Sequence, residues 1–191
     1  LGCFTGGRLS AWYENYELEK AYGIDINPIF KVAADEFASE KKINADFKIG
    51  IGEKLPYQDD FFDFVVSTDT FEHVQNLKIT MDECYRVLKP GGSLLAVFPQ
   101  FLQPFESHLN FVTNLPCIHW FFNSDKVSKN YYEILKERGE SAKWYSGEKL
   151  SLEEWEKLPT LNGTSIRKFE KILDKNNWSN VKWIKRPILT D

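Results

Sequence analysis

The sequence predicts an α/β fold in which a doubly wound, mostly parallel sheet carries helices on both faces. Up to about residue 99, short apolar runs of strand length alternate with segments whose apolar residues recur at helical spacing. Parallel strands need crossover connections, and a helix between successive strands provides one. The alternation stops at about residue 100, so residues 100–163 are predicted to form a helical, aromatic-rich insertion after the last parallel strand.

Three helices and three strands are predicted before the insertion. The strands cover residues 21–26, 62–67 and 93–98. The helices cover residues 8–16, the segment opened by the cap Asn27-Pro28, and a segment from about Leu77 that Pro90-Gly91-Gly92 ends. The residues predicted to face inward are Leu9, Trp12, Tyr13 and Tyr16, then Ile29, Ala33 and Phe37 with Val32 beside them, then Leu77, Met81, Cys84 and Leu88.

A closing helix and strand are predicted after the insertion. Thr164 and Ser165 are the caps of the helix, which turns Ile166, Phe169 and Leu173 inward. The strand is predicted over residues 180–188, with Val181 and Trp183 on one face.

Composition excludes several classes of protein. With 191 residues, 42% of them hydrophobic and 27% charged, the chain has the balance of one soluble domain. A net charge of −4 argues against a nucleic-acid partner, and no apolar run reaches the roughly 18–20 residues that cross a bilayer. Cys3, Cys84 and Cys117 have neither disulfide nor zinc spacing, so we expect no metal site and a reducing, cytoplasmic location.

Three features at predicted carboxyl ends of strands indicate a ligand site, because open α/β sheets bind their ligands there. One of them is the set of segments 50–56, 62–67 and 69–74, which supply loops where an adenine could lie. Residues 2–7, Gly-Cys-Phe-Thr-Gly-Gly, form a glycine-rich turn before a helix, where a ligand can approach backbone N–H groups. Such turns also occur without a ligand. Asp25 lies at the end of the next strand and can accept hydrogen bonds from a ribose diol. The alternative for Asp25 is an acid that interacts with the dipole of the following helix.

The chain resembles the class I S-adenosylmethionine (SAM)-dependent methyltransferases, especially their ubiquinone/menaquinone-biosynthesis-like small-molecule branch. The resemblance rests on four stretches in family order, LGCFTGG, YGIDINP, GEKLPYQDDFFDFVVSTDTFEHV and ECYRVLKPGGSLLAVFP, within residues 1–99. It implies a Rossmann-like fold, SAM as the cofactor with S-adenosylhomocysteine as the product, and methyl transfer to a small-molecule acceptor.

The resemblance also implies which residues hold the cofactor. The glycine loop beside the methionine part of SAM matches Gly2, Cys3 and Gly6. The residues that hold the ribose and flank the adenine match Asp25 and Ile26, and the loop at the adenine edge matches Gly52 and Glu53. The strand end that faces the amino-acid part of SAM matches Ser67 and Thr68.

Three departures from the family pattern stand out. Phe4 occupies the place of the usual middle glycine, so its ring must fit close to the cofactor or turn away. Ile51 occupies the place of an Asp that commonly bonds the adenine amino group. The first strand of the family sheet would precede residue 1, and a last antiparallel strand would follow residue 191. We therefore expect one methyltransferase domain over 1–191, truncated at its N-terminus, with a lid-like insertion at about 100–163.

The three histidines differ in their expected roles. His73 follows the strand 62–67, near the expected methyl group, and His108 lies where substrate lids begin; both are candidate catalytic residues. A non-catalytic role for His73 and a structural polar contact for His108 are the alternatives. His119 is predicted to be a satisfied core histidine, and Asp69 and Glu72 to be cap or surface acids. The aromatic cluster of 101–122 is the wall of an acceptor pocket, the insertion's own core or a dimer face.

Two other functions fit parts of the pattern. A nicotinamide-dependent dehydrogenase also uses a glycine turn and a later acid, but residues 2–7 do not give G-x-G-x-x-G. A catalytically inactive methyltransferase-fold binding protein fits the departures at Phe4 and Ile51. The identity of the acceptor atom and a homodimer are left open by the sequence.

Overall fold

Four strands and six helices are defined in the part of the chain that the computed structural model describes, residues 1–101, 104, 113–137, 162–173, 178–182 and 184. The strands are β1 (Ala21–Asp25), β2 (Ala45–Ile49), β3 (Phe62–Thr68) and β4 (Leu88–Val97). The helices are α1 (Gly7–Asn15), α2 (Pro28–Lys41), α3 (Leu77–Val87), α4 (Ile118–Phe121), α5 (Ser124–Glu137) and α6 (Ile166–Leu173).

The strands form two parallel pairs. β1 pairs with β2, which places Asp25 opposite Ile49, and β3 pairs with β4, which places Thr68 opposite Val97. In each pair the connection between the two parallel strands contains a helix, α2 between β1 and β2 and α3 between β3 and β4.

Residues 1–3 join the two pairs. The N–H groups of Gly2 and Cys3 donate to the carbonyl of Ile24 in β1 at 2.9 and 3.0 Å. The backbone nitrogen of Leu1 donates to the carbonyl of Val66 in β3 at 2.7 Å. The carboxyl ends of β1 and β3 therefore meet at the turn that follows residue 3.

Helices pack on both faces of β1, as the doubly wound class requires. On one face Phe47 of β2 lies over Gly23 and packs with α1 and α2, in a cluster that contains Ala34, Ala38 and Ile43. On the other face Ile24 packs with α3 and α6, in the larger cluster that includes Val65, Phe71, Met81, Cys84, Val87, Phe169 and Ile172. The predicted α/β class is confirmed.

Several predicted elements differ in detail from those observed. β2 was not predicted, because Asp46 and Lys48 interrupt its apolar residues. The helix before Pro90 ends at Val87, and Leu88 begins β4. The buried stripe of α2 is Phe30, Ala34 and Ala38, one position from the predicted one, and Val32 and Tyr16 are exposed.

The closing elements are confirmed only in part. Phe169 and Ile172 of α6 are buried, Leu173 packs against their cluster, and the Ser165 hydroxyl accepts the Lys168 N–H as a helix cap. Residues 178–182 form no strand and Val181 is exposed, while Trp183 and residues 185–188 lie outside the described residues. Every helix within the described ranges is too short or too polar to span a bilayer.

Candidate cofactor-binding site

The glycine-rich turn is held by close packing on its inner side. Gly2 and Gly6 both have positive φ, 69° and 79°, a conformation that glycine adopts without strain. A Cβ at Gly2 would lie 2.0 Å from the Thr70 hydroxyl oxygen, and one at Gly6 would lie 3.1 Å from the ring of Phe47. The two glycines thus let the turn sit tightly between the ends of β1 and β3.

Phe4 occupies the outer side of the turn. Its φ of 50° is also in the left-handed region, which is costly for a residue with a side chain. The ring packs against Phe30 of α2 with 4.1 Å between the ring centroids. Of the two arrangements expected for Phe4, the structure shows the ring turned onto α2.

Asp25 is the centre of the site. Its Oδ2 accepts the Phe4 N–H at 2.9 Å and its Oδ1 accepts the Asn27 N–H at 3.0 Å. A carboxylate has about four acceptor positions, so each oxygen can still accept one further hydrogen bond. Burial raises the pKa of Asp25 above its ordinary value, and the two backbone hydrogen bonds oppose that rise.

Apolar side chains flank Asp25 at the ends of β1 and β2. The Gly50 N–H donates to the Asp25 carbonyl at 2.9 Å, which draws the loop after β2 toward the carboxylate. Ile26 and Ile51 are 49% and 45% exposed in this region. An acidic acceptor beside exposed apolar side chains suits a purine nucleoside, whose hydroxyls can donate to the acid and whose flat ring can lie on apolar groups.

Three other residues that the resemblance assigns to the cofactor, Cys3, Gly52 and Glu53, pack or hydrogen-bond within the protein. The Cys3 sulfur lies over Gly23, where a Cβ would be only 2.9 Å away, so the side chain packs on the sheet. Burial and the neighbouring Asp25 raise the pKa of the Cys3 thiol to about 12, so it is protonated at neutral pH. Gly52 is buried, and Glu53 accepts the Asn76 N–H at 2.9 Å, which ties its loop to the start of α3.

The end of β3 lies beside the same glycine-rich turn, where Thr70 approaches Gly2. Ser67 is 1% exposed, and its hydroxyl has no hydrogen-bond partner among the described residues. The Thr68 hydroxyl accepts a hydrogen bond from Arg8 of α1, and Arg8 also lies 3.4 Å from a carboxylate oxygen of Asp69. Arg8 was not predicted as a site residue, although its place directly after Gly6-Gly7 puts a cation beside the turn.

His73 belongs to the turn that follows β3. Its N–H donates to the Thr70 carbonyl at 2.9 Å, and its Nε2 lies 3.7 Å from Glu72 Oε1. Glu72 is 3% exposed, so its prediction as a cap or surface acid is wrong, whereas Asp69 is exposed.

His119 is a buried structural residue, as predicted. Its Nε2 lies 2.8 Å from the Phe101 carbonyl. His108 lies outside the described residues, as do Phe105 and Phe111, and its role stays a prediction. Trp120, Phe121 and Phe122 are exposed, so these three rings do not form a core of the insertion.

Within the described part of the chain, no group of three or more His, Cys, Asp or Glu side chains is placed to hold a metal ion. Cys3, Cys84 and Cys117 are free thiols.

Comparison with known proteins gives the class of this fold and site. Residues 1–96, half of the chain, match the family described as the methyltransferase domain, and the chain belongs to that family. The cofactor of this family is SAM, and the acceptor positions of Asp25 and the apolar side chains beside it fit its nucleoside part.

Similar proteins include several methyltransferases. A malonyl-[acyl-carrier protein] O-methyltransferase of Coxiella burnetii is 33% identical over 129 residues, which are 66% of this chain and 42% of that protein. The ubiquinone/menaquinone biosynthesis C-methyltransferase UbiE of Hydrogenovibrio crunogenus is 39% identical over 83 residues, 42% of this chain and 33% of that protein. The chain thus spans less than half the length of these relatives.

A solved structure extends the similarity of the fold beyond residue 96. A geranyl diphosphate methyltransferase in complex with SAM superposes with a TM-score of 0.57 and 14% identity, over 92% of this chain and 54% of that one. At this identity the likeness concerns the fold alone.

Proposed function

We propose that this chain forms a single methyltransferase domain that transfers a methyl group from SAM to a small-molecule acceptor. The proposal rests on family membership together with one observation: Asp25, fixed by two backbone N–H groups, keeps free acceptor positions at the glycine turn. The hydrogen bond from Phe4 places the acid against the glycine turn as well as at the start of α2.

The cofactor would lie along the edge where β1 and β3 end. Asp25 would accept the ribose hydroxyls, and Ile26 and Ile51 would cover the adenine. The backbone of the turn at Gly2 to Gly6 would border the methionine part, since the Cys3 side chain is directed into the sheet. Gly52 and Glu53 would shape the adenine loop, Glu53 through its bond to the start of α3.

The methyl group would point toward the end of β3. Ser67 and Thr68 lie there, and His73 follows within the next turn. The sulfonium of SAM is an activated methyl donor, so alignment of the acceptor and exclusion of water supply most of the catalysis. A hydroxyl acceptor also needs a base, a role for which His73 and His108 are the candidates.

The acceptor is proposed to be a small molecule without a nucleic-acid component. The net charge of −4 disfavours a polyanion, and the similar proteins named above act on small molecules or on a carrier-bound acyl group by their names. We also propose that the protein is cytoplasmic. The insertion at 100–163 is proposed to cover the bound acceptor.

A screen of acceptors tests the proposal. The protein is incubated with SAM and, in turn, with phenols, amines and compounds with an acidic C–H, and formation of S-adenosylhomocysteine is measured. We expect turnover with one class, which identifies the acceptor atom. For a hydroxyl acceptor, His73→Gln is expected to lower turnover at least a hundredfold if His73 is the base, with the affinity for S-adenosylhomocysteine unchanged.

An inactive binding protein is the alternative that Phe4 favours, because Phe4 stands in place of the family's middle glycine and holds a φ of 50° that is costly for a residue with a side chain. Binding of S-adenosylhomocysteine without turnover on any acceptor class would support that alternative. Absence of binding would contradict both functions.

A further inference from the structure

Asn162 connects the segment that precedes α6 to the turn that follows β3. Its side-chain amide donates to the carbonyls of Phe71 and Val74, at 2.7 and 2.8 Å. Its backbone N–H donates to the carbonyl of Glu72 at 2.8 Å. A single residue, far along the chain, therefore binds three backbone carbonyls of one turn.

The orientation of Asn162 is itself fixed. Its Oδ1 accepts the Thr164 N–H at 3.0 Å and also the Thr164 hydroxyl, and its carbonyl accepts from Lys168 Nζ at 2.9 Å. Since carbonyls only accept and a backbone N–H only donates, these partners allow one orientation of the amide. Thr164 is buried, and its carbonyl accepts the Phe101 N–H at 2.8 Å, which anchors the segment to the end of the sheet.

The turn that Asn162 binds is part of the candidate site. Thr68 and Asp69, which contact Arg8, precede it, and His73 lies within it. Phe71 and Val74 are buried in the turn, but apolar packing is non-directional and tolerates small rotations. The three hydrogen bonds from Asn162 are directional and therefore define where the backbone of this turn lies.

We propose that Asn162 is a positioning residue for methyl transfer: it holds the turn 71–74 so that the end of β3 and His73 face the cofactor. The inference rests on the proposed function. It assigns a role to a residue that lies 88 positions after Val74 and outside the matched residues 1–96.

The test compares Asn162→Asp with a matched control. The aspartate keeps an oxygen for Thr164 but removes both side-chain donations to the turn. The control is Asn44→Asp, because the Asn44 amide donates to the Glu19 carbonyl at 2.9 Å, at the amino ends of β1 and β2. It removes the same kind of bond at the opposite edge of the sheet.

Two quantities are measured on each variant: affinity for S-adenosylhomocysteine by titration calorimetry, and amide hydrogen exchange of residues 69–74. Asn162→Asp is expected to weaken binding at least tenfold and to speed exchange in the turn at least tenfold. Asn44→Asp is expected to keep the affinity within twofold and to leave exchange in the turn unchanged. If Asn162→Asp does not fold, Thr164→Val removes only the hydroxyl bond to Asn162, and a weakening of about threefold is expected.

The outcomes are distinguishable. Unchanged affinity in Asn162→Asp, with faster exchange in the turn, would overturn the positioning role. Equal loss of affinity in both variants would also overturn it, because affinity would then follow overall stability. If the unmodified protein does not bind S-adenosylhomocysteine, the proposed function fails, whereas the exchange rates still show whether Asn162 fixes the turn.

Discussion

At the scale of single residues, the site depends on the conformation of the turn between residues 2 and 6. Gly2 and Gly6 hold positive φ, and so does Phe4, whose N–H is thereby directed at Asp25. The turn brings the Phe4 N–H into contact with the carboxylate at the end of β1, so the structure itself orients the acid proposed to bind the ribose. Preorientation of this kind lowers the cost of binding.

Replacement of neighbouring glycines tests this geometry. Gly6→Ala should lower the free energy of unfolding by about 1–3 kcal/mol, since φ is 79° and the added Cβ would lie 3.1 Å from Phe47. Gly7→Ala is the matched control: a Cβ there meets nothing within 4 Å, and alanine at this first helical position should add up to about 1 kcal/mol. Urea denaturation measures both, and equal effects would contradict the account.

At the scale of elements, Arg86 and Glu83 attach α3 to the loop before β3. The Arg86 guanidinium binds both carboxylate oxygens of Glu83 at 2.7 Å and also donates to the carbonyls of Leu55 and Tyr57. Glu83 in turn accepts the Leu55 N–H at 2.8 Å. Side-chain groups thus satisfy backbone groups of a loop that has little regular structure, which fixes the loop next to the site.

Replacement of Arg86 by lysine tests this attachment. Lysine keeps the charge but lacks the planar fork, so Arg86→Lys should lower the free energy of unfolding by about 1–3 kcal/mol. As a control, Lys78→Gln removes an exposed ion pair with Asp82 and should cost less than about 1 kcal/mol. Urea denaturation measures the unfolding free energy of both variants. A loss for Arg86→Lys no larger than that for Lys78→Gln would contradict a stabilising role for the planar guanidinium.

The pH dependence of stability gives a second test at this scale. Hydrogen bonding to Arg86 lowers the pKa of Glu83 below its ordinary value. The stabilisation is therefore present above the ordinary glutamate pKa and is lost as the pH falls through the lowered value. The difference in unfolding free energy between the unmodified protein and Glu83→Gln should be largest near neutral pH and shrink on acidification. A difference that stays constant with pH would contradict this assignment.

At the scale of the whole molecule, the site lies where the two parallel strand pairs meet. One pair contributes Asp25 and the exposed isoleucines, the other contributes Ser67 and Thr68, and residues 1–3 connect them through hydrogen bonds to both. Asn162, in the segment that precedes α6, reaches the same edge from the far part of the chain. The candidate site is thus assembled from segments that are distant in sequence.

The sequence separation between contacting residues explains which features could be predicted from the sequence. The alternation of helices and strands and the acid at the end of β1 are local patterns, and both are present in the structure. β2 escaped prediction because charged residues interrupt it, and the stripe of α2 was displaced by one position because Val32 is apolar yet exposed. The contacts of Arg8 with Thr68 and of Asn162 with Phe71 join residues 60 and 91 positions apart, and no spacing rule in a single sequence encodes them.

The most direct test of the central claim is titration of S-adenosylhomocysteine into the protein and two variants. Asp25→Asn removes the acceptor carboxylate, and Asp46→Asn removes a carboxylate from the adjacent strand, where it pairs with Lys48 at 3.8 Å. We predict micromolar binding by the unmodified protein, at least tenfold weaker binding by Asp25→Asn, a loss of about 1.4 kcal/mol or more, and binding within twofold for Asp46→Asn. No binding by the unmodified protein, or equal binding by all three, would contradict the assignment of this edge as the cofactor site.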